Sequence, residues 1–153
     1  MSRIDDRLAE LGIVLPDPVA PVANYVPYVK SGNLVFISGQ VSIGADGLIT
    51  GKVGEDLSIE DGVNAAKACG ISLIAQLKNA CDGDLDRVVR VIKLGGFVNC
   101  RENFTDQPKI VNGTSDLMVD VFGDAGRHAR AAVGAPALPL NAAVEVDGVF
   151  EIK

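Results

Sequence analysis

Residues 87–98 read RVVRVIKLGGFV, with apolar side chains on both alternations of an extended chain. That pattern predicts a central strand buried on both faces, and a strand so buried needs layers packed around it. Gly95 and Gly96 inside it are read as a bulge rather than as a phosphate cradle.

Upstream, residues 58–80 carry the clearest helical pattern in the chain. Val63, Ala66, Cys69 or Gly70, Leu73 and Leu77 recur every three to four positions, so one face is apolar. Ser58 followed three residues on by Asp61 supplies an N-cap, and Gly83 is a plausible stop. Downstream, residues 109–122 predict a second helix with Ile110, Leu117 and Val121 on one side. Two further strands follow, in HARAAVG (128–134) and NAAVEVDGVFEI (141–152).

Before the first helix, YVPYVK (25–30), a turn at Ser31, Gly32 and Asn33, and LVFIS (34–38) predict a hairpin. Gly39, just past the apolar strand, is where close backbone approach is expected, and irregular β structure continues to a turn at 45–47. The order hairpin, helix, strand, helix, strand, strand gives an α+β fold. It is a two-layer sandwich, one mixed sheet with two helices on one face. The other sheet face must be solvated or covered by a second subunit. Its apolar content favours oligomerisation.

At the N-terminus, Ile4, Leu8 and Leu11 share one helical face behind the acids Asp5 and Asp6, predicting a short helix. Three prolines make residues 14–24 extended. Residues 1–153 read as one domain, with 1–16 an added N-terminal helix and linker.

Fourteen basic residues are scattered among 20 acidic ones, and the net charge of −6 argues against nucleic acid and anionic membrane as partners. The charged start MSRIDDRLAELG does not read as a signal peptide, and no apolar run in the sequence is long enough to suggest a membrane span. With three cysteines and no CxxC pair, free thiols in a reducing cytoplasm are expected. A single histidine makes a zinc or iron site an unattractive reading.

Nucleophile and phosphate motifs are absent: there is no GxSxG, GxxxxGK[ST] or HExxH. His128 would have to serve any Ser–His–Asp triad, and is read instead as a polar residue packed near Arg127 at a strand start. Cys69 falls on the apolar helix face, while Cys81 and Cys100 lie near element ends, so none is assigned to chemistry. What remains is Arg130, set among small apolar residues, and Glu145, sharing a strand face with Ala143 and Asp147. The two form an ordinary ion pair between adjacent strands, or Arg130 grips a substrate carboxylate while Glu145 manages a proton or a water.

Several short motifs, in order, carry a resemblance. Ala129-Arg130-Ala131-Ala132-Val133, then Leu138-Pro139, then Ala143-Val144-Glu145-Val146 resemble the C-terminal signature of the reactive-intermediate deaminase (Rid, YjgF-type) family. That family is also described as endoribonuclease L-PSP. Tyr25-Val26, Gly32-Asn33-Leu34-Val35 and Ser38-Gly39-Gln40 resemble its first hairpin, so the likeness covers residues 17–153. It implies a chorismate-mutase-like α+β sandwich, assembled as a homotrimer with clefts between subunits. The implied activity is hydrolysis of enamine and imine intermediates to 2-keto acids and ammonia, with no metal or cofactor.

By motif, Arg130 becomes the carboxylate anchor and Glu145 the acid that handles water or protons. Tyr25 and the backbone of Ser38 and Gly39 shape the pocket, with Asn112 a looser match. Ala132 stands where the best-studied branch has cysteine; if only the main-chain carbonyl positions water, alanine serves as well. The stretch 101–108 and the Arg127-His128 pair point to a remodelled cleft. Two rival readings are a protein that binds small carboxylates without turning them over, and a ribonuclease, which the acidic balance disfavours.

Overall fold

The computed structural model describes residues 2–18 and 23–153. Helix α1 (Arg3–Glu10) precedes strands β1 (Tyr28–Ser31) and β2 (Leu34–Val41) and a small β3 (Ile43–Gly44)–β4 (Gly47–Leu48) hairpin. Helix α2 (Ile59–Ala80), strand β5 (Val88–Asn99), helix α3 (Gln107–Phe122), and strands β6 (Ala129–Ala135) and β7 (Val144–Ile152) follow. The five long strands form one mixed sheet in the order β1-β2-β7-β5-β6, with β5 and β6 parallel and the other pairs antiparallel. Both long helices cover the same face, α2 over β7 and β2, α3 over β5 and β6.

Local chemistry explains the elements that the sequence announces. Ser58 Oγ accepts from the Asp61 N–H at 3.0 Å while the Ser58 N–H donates to Asp61 Oδ2 at 3.1 Å, a closed capping box; such a cap contributes about 1 kcal/mol. Gly32, at φ +59°, occupies the first central position of the two-residue turn closing Ser31 onto Leu34, where a type II′ turn demands positive φ.

The two helices cross closely because small residues line the contact. A Cβ on Gly113 would lie 2.1 Å from the Val63 carbonyl oxygen, and one on Gly70 would lie 2.8 Å from Leu117. Thr114 Oγ1 donates to the Ala66 carbonyl at 2.5 Å across the same seam. Beneath them Leu73, Leu77, Leu94, Val146 and Phe150 are fully buried.

α1 is docked on this core. Asp86 accepts from the N–H groups of Arg3 and Ile4 at 2.9 and 3.0 Å, satisfying two orphan donors of the first turn. Ile4 and Leu8 are buried. Leu11 serves as the C-cap, one residue past the helix end. Of the stretch read as extended, 14–18 and 23–24 lie outside regular elements, and 19–22 fall outside the described residues. No helix among the described residues is long and apolar enough to cross a membrane.

Two expectations are corrected. β5 is not buried on both faces. β7 holds the centre, and only the side of β5 carrying Leu94, Gly96 and Val98 meets the helices. The other side, with exposed Arg90 and Lys93 and part-buried Phe97, lies on the open face. Nor are Gly95 and Gly96 a bulge: both pair in register with β6 and β7, and the irregularities fall earlier, between Val88 and Lys93. The glycines serve close packing instead. A Cβ on Gly95 would lie 2.5 Å from the Asp147 carboxylate, and one on Gly96 would lie 2.6 Å from Val111.

The open sheet face is apolar for so small a chain. Val29, Phe36 and Val133 on it are 53%, 44% and 46% exposed. Embedded among them are two carboxylates, Glu145 and Asp147.

Candidate functional site

Arg130 lies on β6, the strand at the sheet edge, in register with Leu94. Leu94 points toward the helices, so Arg130 does too, and its guanidinium runs along α3. One Nη1 reaches Asn112 Oδ1 at 2.8 Å and Ser115 Oγ at 3.1 Å, and Nη2 reaches the Pro108 carbonyl at 3.4 Å. Asn112 and Ser115 are three apart on α3 and share its β6-facing side. A guanidinium has five donors, so three are spent. Among the described residues, Nε–H and one Nη2–H find no acceptor, and no carboxylate pairs with Arg130.

This corrects the ion-pair reading. β6 and β7 are not adjacent; β5 separates them because α3 returns the chain to the far side of β5. Glu145 pairs across to Phe97 and Val41 and faces the open side of the sheet, opposite to Arg130. With two strand spacings and three residues of offset, their backbones are roughly 14 Å apart.

Glu145 has its own surroundings. Gly39 lies beside it so closely that a Cβ there would come within 2.5 Å of Oε2. The register of β2 against β7 shifts between Ile37 and Gln40, and this bulge brings Gly39 alongside the carboxylate. Ser38 donates through Oγ to the Val26 carbonyl at 2.8 Å, and its N–H donates to the Pro27 carbonyl at 2.9 Å. Those bonds hold the segment bearing Tyr25, which is 54% exposed, against the end of β2. Burial, and then the negative charge of Asp147, push the Glu145 carboxyl above its ordinary range. Asp147 is raised as well, by burial, against the easing effects of the Gly95 backbone and Lys93.

The candidate residues therefore fall into two groups. Arg130, Asn112 and Ala132 occupy the α3–β6 rim, where Ala132 follows Arg130 on the same strand face, opposite Gly96. Glu145 and Gly39 meet at the β2–β7 end of the open face, and Ser38 beside them anchors the segment that bears Tyr25. One copy of the chain does not bring the groups together.

A third feature includes the Arg127-His128 pair, named above as pointing to a remodelled cleft, together with α3 residues that the sequence did not suggest. Ser115, Asp116, Val119, Arg127, His128 and Arg130 line an open hollow of about 310 Å³. In it His128 Nε2 lies 2.9 Å from Ser115 Oγ, and Nδ1 lies 2.6 Å from the Gly126 carbonyl. The signal available was the alternation of 128, 130 and 132 on one strand face opposite 112 and 115 on a helix. A second hollow of similar volume, beside Gly54 and Phe104, holds the Arg101–Glu55 ion pair, a local surface clasp of the 101–108 stretch.

The cysteines stay outside both groups. Cys69 donates to the Val144 carbonyl at 3.3 Å in the core, and burial pushes its thiol, like that of Cys81, up and away from thiolate. Cys100 is buried at the end of β5.

Comparison with known proteins fits this architecture. A family model described as "YjgF/chorismate mutase-like, putative endoribonuclease" matches residues 5–151. Protein TCP17 of Trypanosoma cruzi is 47% identical over 99% of this chain and 96% of its own. The crystal structure of Atu1372 from Agrobacterium tumefaciens, a protein with unknown function, superposes with a TM-score of 0.91 at 46% identity. That match covers 98% of this chain and 92% of the other. A 2-iminobutanoate/2-iminopropanoate deaminase of Dermatophagoides farinae is 26% identical over 90% of this chain and 91% of its own. With its sheet order, its helix pair and its C-terminal Arg130 and Glu145 motifs in place, the chain belongs to the YjgF/chorismate mutase-like family, that of the reactive-intermediate deaminases.

Proposed function

We propose that this protein hydrolyses 2-iminocarboxylates to 2-keto acids and ammonia, in clefts shared between copies of itself. The observation that carries the reading is Arg130. Its guanidinium is held in place by neutral oxygens on α3 and, among the described residues, keeps two donors unspent and forms no ion pair with an acid. A rigid, unpaired fork of this kind suits a planar carboxylate.

An iminium carbon is already electrophilic, so the protein's task is to position substrate and water; orientation of that kind contributes up to ~7–11 kcal/mol. Arg130 holds the carboxylate, with Ala132 leaving room beside it. Glu145, Gly39, Ser38 and Tyr25 complete the cleft from a second copy, where Glu145 orients the attacking water. The uncovered apolar face supports this assembly, and a homotrimer is the form we propose. The reaction uses no metal or cofactor, and the setting we propose is the cytoplasm. A net charge of −6 supports neither nucleic acid nor anionic membrane as a partner.

The test is ammonia and keto-acid release from 2-iminobutyrate generated in situ, with and without the protein. Acceleration that disappears in Arg130→Ala supports the reading. Binding of 2-ketobutyrate with no acceleration would make the protein a carboxylate binder instead.

A further inference from the structure

Donor and acceptor chemistry orders the hydrogen bonds of a neutral imidazole in the hollow beside Arg130. The Gly126 carbonyl only accepts, so His128 Nδ1 carries the hydrogen at that 2.6 Å contact, and in the neutral ring Nε2 presents its lone pair. Ser115 Oγ, 2.9 Å from Nε2, therefore donates to it. The same oxygen accepts from Arg130 Nη1 at 3.1 Å. A hydroxyl has one donor and two acceptor positions, so Ser115 has one lone pair left.

The backbone enforces this geometry. A Cβ on Gly126 would lie 2.1 Å from the Met118 carbonyl oxygen, so glycine alone lets the turn Gly123–Gly126 press against α3 and set its carbonyl under the imidazole. With the ring neutral, the result is a base behind a hydroxyl that a guanidinium polarises, the arrangement that activates an oxygen for proton transfer.

We infer that His128, acting through Ser115, exchanges protons with the ligand that Arg130 holds. This rests on the hydrolase reading of the Arg130 site and adds to it a proton-transfer pair on the anchor's own side of the sheet. In the addition step, the oxygen of water bonds to the iminium carbon and the C=N π pair moves to nitrogen. The water proton passes to Ser115 Oγ as the serine's own proton passes to His128 Nε2. In the second step His128 returns that proton through Ser115 to nitrogen, and the C–N bond breaks toward nitrogen. The carbinol hydroxyl proton leaves with ammonia as ammonium, and the keto acid remains.

His128→Asn and Ser115→Ala test the pair. Asparagine keeps a donor for the Gly126 carbonyl but cannot take the proton. Both variants should lose on the order of 100-fold or more in kcat, with KM within about threefold of the parent. A purely structural role in steadying Arg130 would raise KM instead, and kcat within about twofold of wild type in His128→Asn overturns the inference.

His128 is the only histidine in the chain, so its two ring nitrogens give unambiguous ¹⁵N NMR signals. They should report the Nδ1–H tautomer, and added 2-ketobutyrate should move Nε2 in the wild type but not in Ser115→Ala. If the wild type hydrolyses no imine, the hydrolase reading fails on its own. The inference is then decided by NMR, and an Nε2–H tautomer or an Nε2 signal unmoved by 2-ketobutyrate overturns it.

Discussion

Replacing Arg130 by alanine should separate function from stability cleanly. The side chain makes three hydrogen bonds, to Asn112, Ser115 and Pro108, at a rim open to solvent. Water can replace each partner there, so the net loss is on the order of 1 kcal/mol. For a chain of this size that lowers Tm by roughly 2–4 °C. Breaking a buried ion pair would cost ~3–5 kcal/mol, but among the described residues no carboxylate is ion-paired with this guanidinium. The catalytic cost is larger. Two unspent donors reach the substrate, and charge-assisted bonds at ~1.5–3 kcal/mol each put the loss at ~3–6 kcal/mol. That is about 10²- to 10⁴-fold in kcat/KM. Arg130→Lys keeps the charge but not the fork, and should also be severely impaired. Thermal unfolding and single-turnover imine hydrolysis on the same preparation decide the matter. A variant that melts far below wild type, yet turns over normally while folded, would refute the assignment.

Other expectations follow from the same geometry. Sedimentation equilibrium at micromolar concentration should give a trimer, and a clean monomer would leave the apolar open face unexplained. The triple variant Cys69→Ala, Cys81→Ser, Cys100→Ser should keep its imine turnover per folded molecule, because all three thiols are buried and none hydrogen-bonds a side chain of either residue group; lost turnover with assembly intact would implicate a thiol. Glu145 has a raised folded-state pKa, so its contribution to stability is fully present below its unfolded value and is lost as pH rises through the folded one. Glu145→Gln should therefore raise Tm at neutral pH and flatten that part of the pH–stability profile, and an unchanged profile would contradict the burial assigned to it.

What the sequence made legible was local. The capping residues Ser58 and Asp61, the Gly32 turn and the apolar periodicity of α2 and α3 act over a few positions, and each element forms where its pattern lies. Strand order is not local. Apolar residues on both alternations of β5 suggested burial on two faces, yet the parallel return through α3 put β6 at the edge and β7 at the centre. That inversion turned an expected Arg130–Glu145 neighbour pair into residues on opposite faces. The Ser115–His128 contact was hidden for a similar reason. It joins a helix to the residue before a strand, and neither residue is unusual in its own segment. Gly39 was recognised as a place of close approach, but its partner, Glu145, lies 106 residues away across the β2–β7 ladder.

One measurement reaches the chemistry at Arg130 directly. 2-Iminobutyrate, formed continuously by a pyridoxal-phosphate dehydratase, is trapped by semicarbazide in competition with hydrolysis. Adding this protein should cut the trapped fraction and raise free 2-ketobutyrate, in proportion to protein added, while Arg130→Ala leaves both at the protein-free level. Equal trapping with and without the wild-type protein would contradict imine hydrolysis at Arg130.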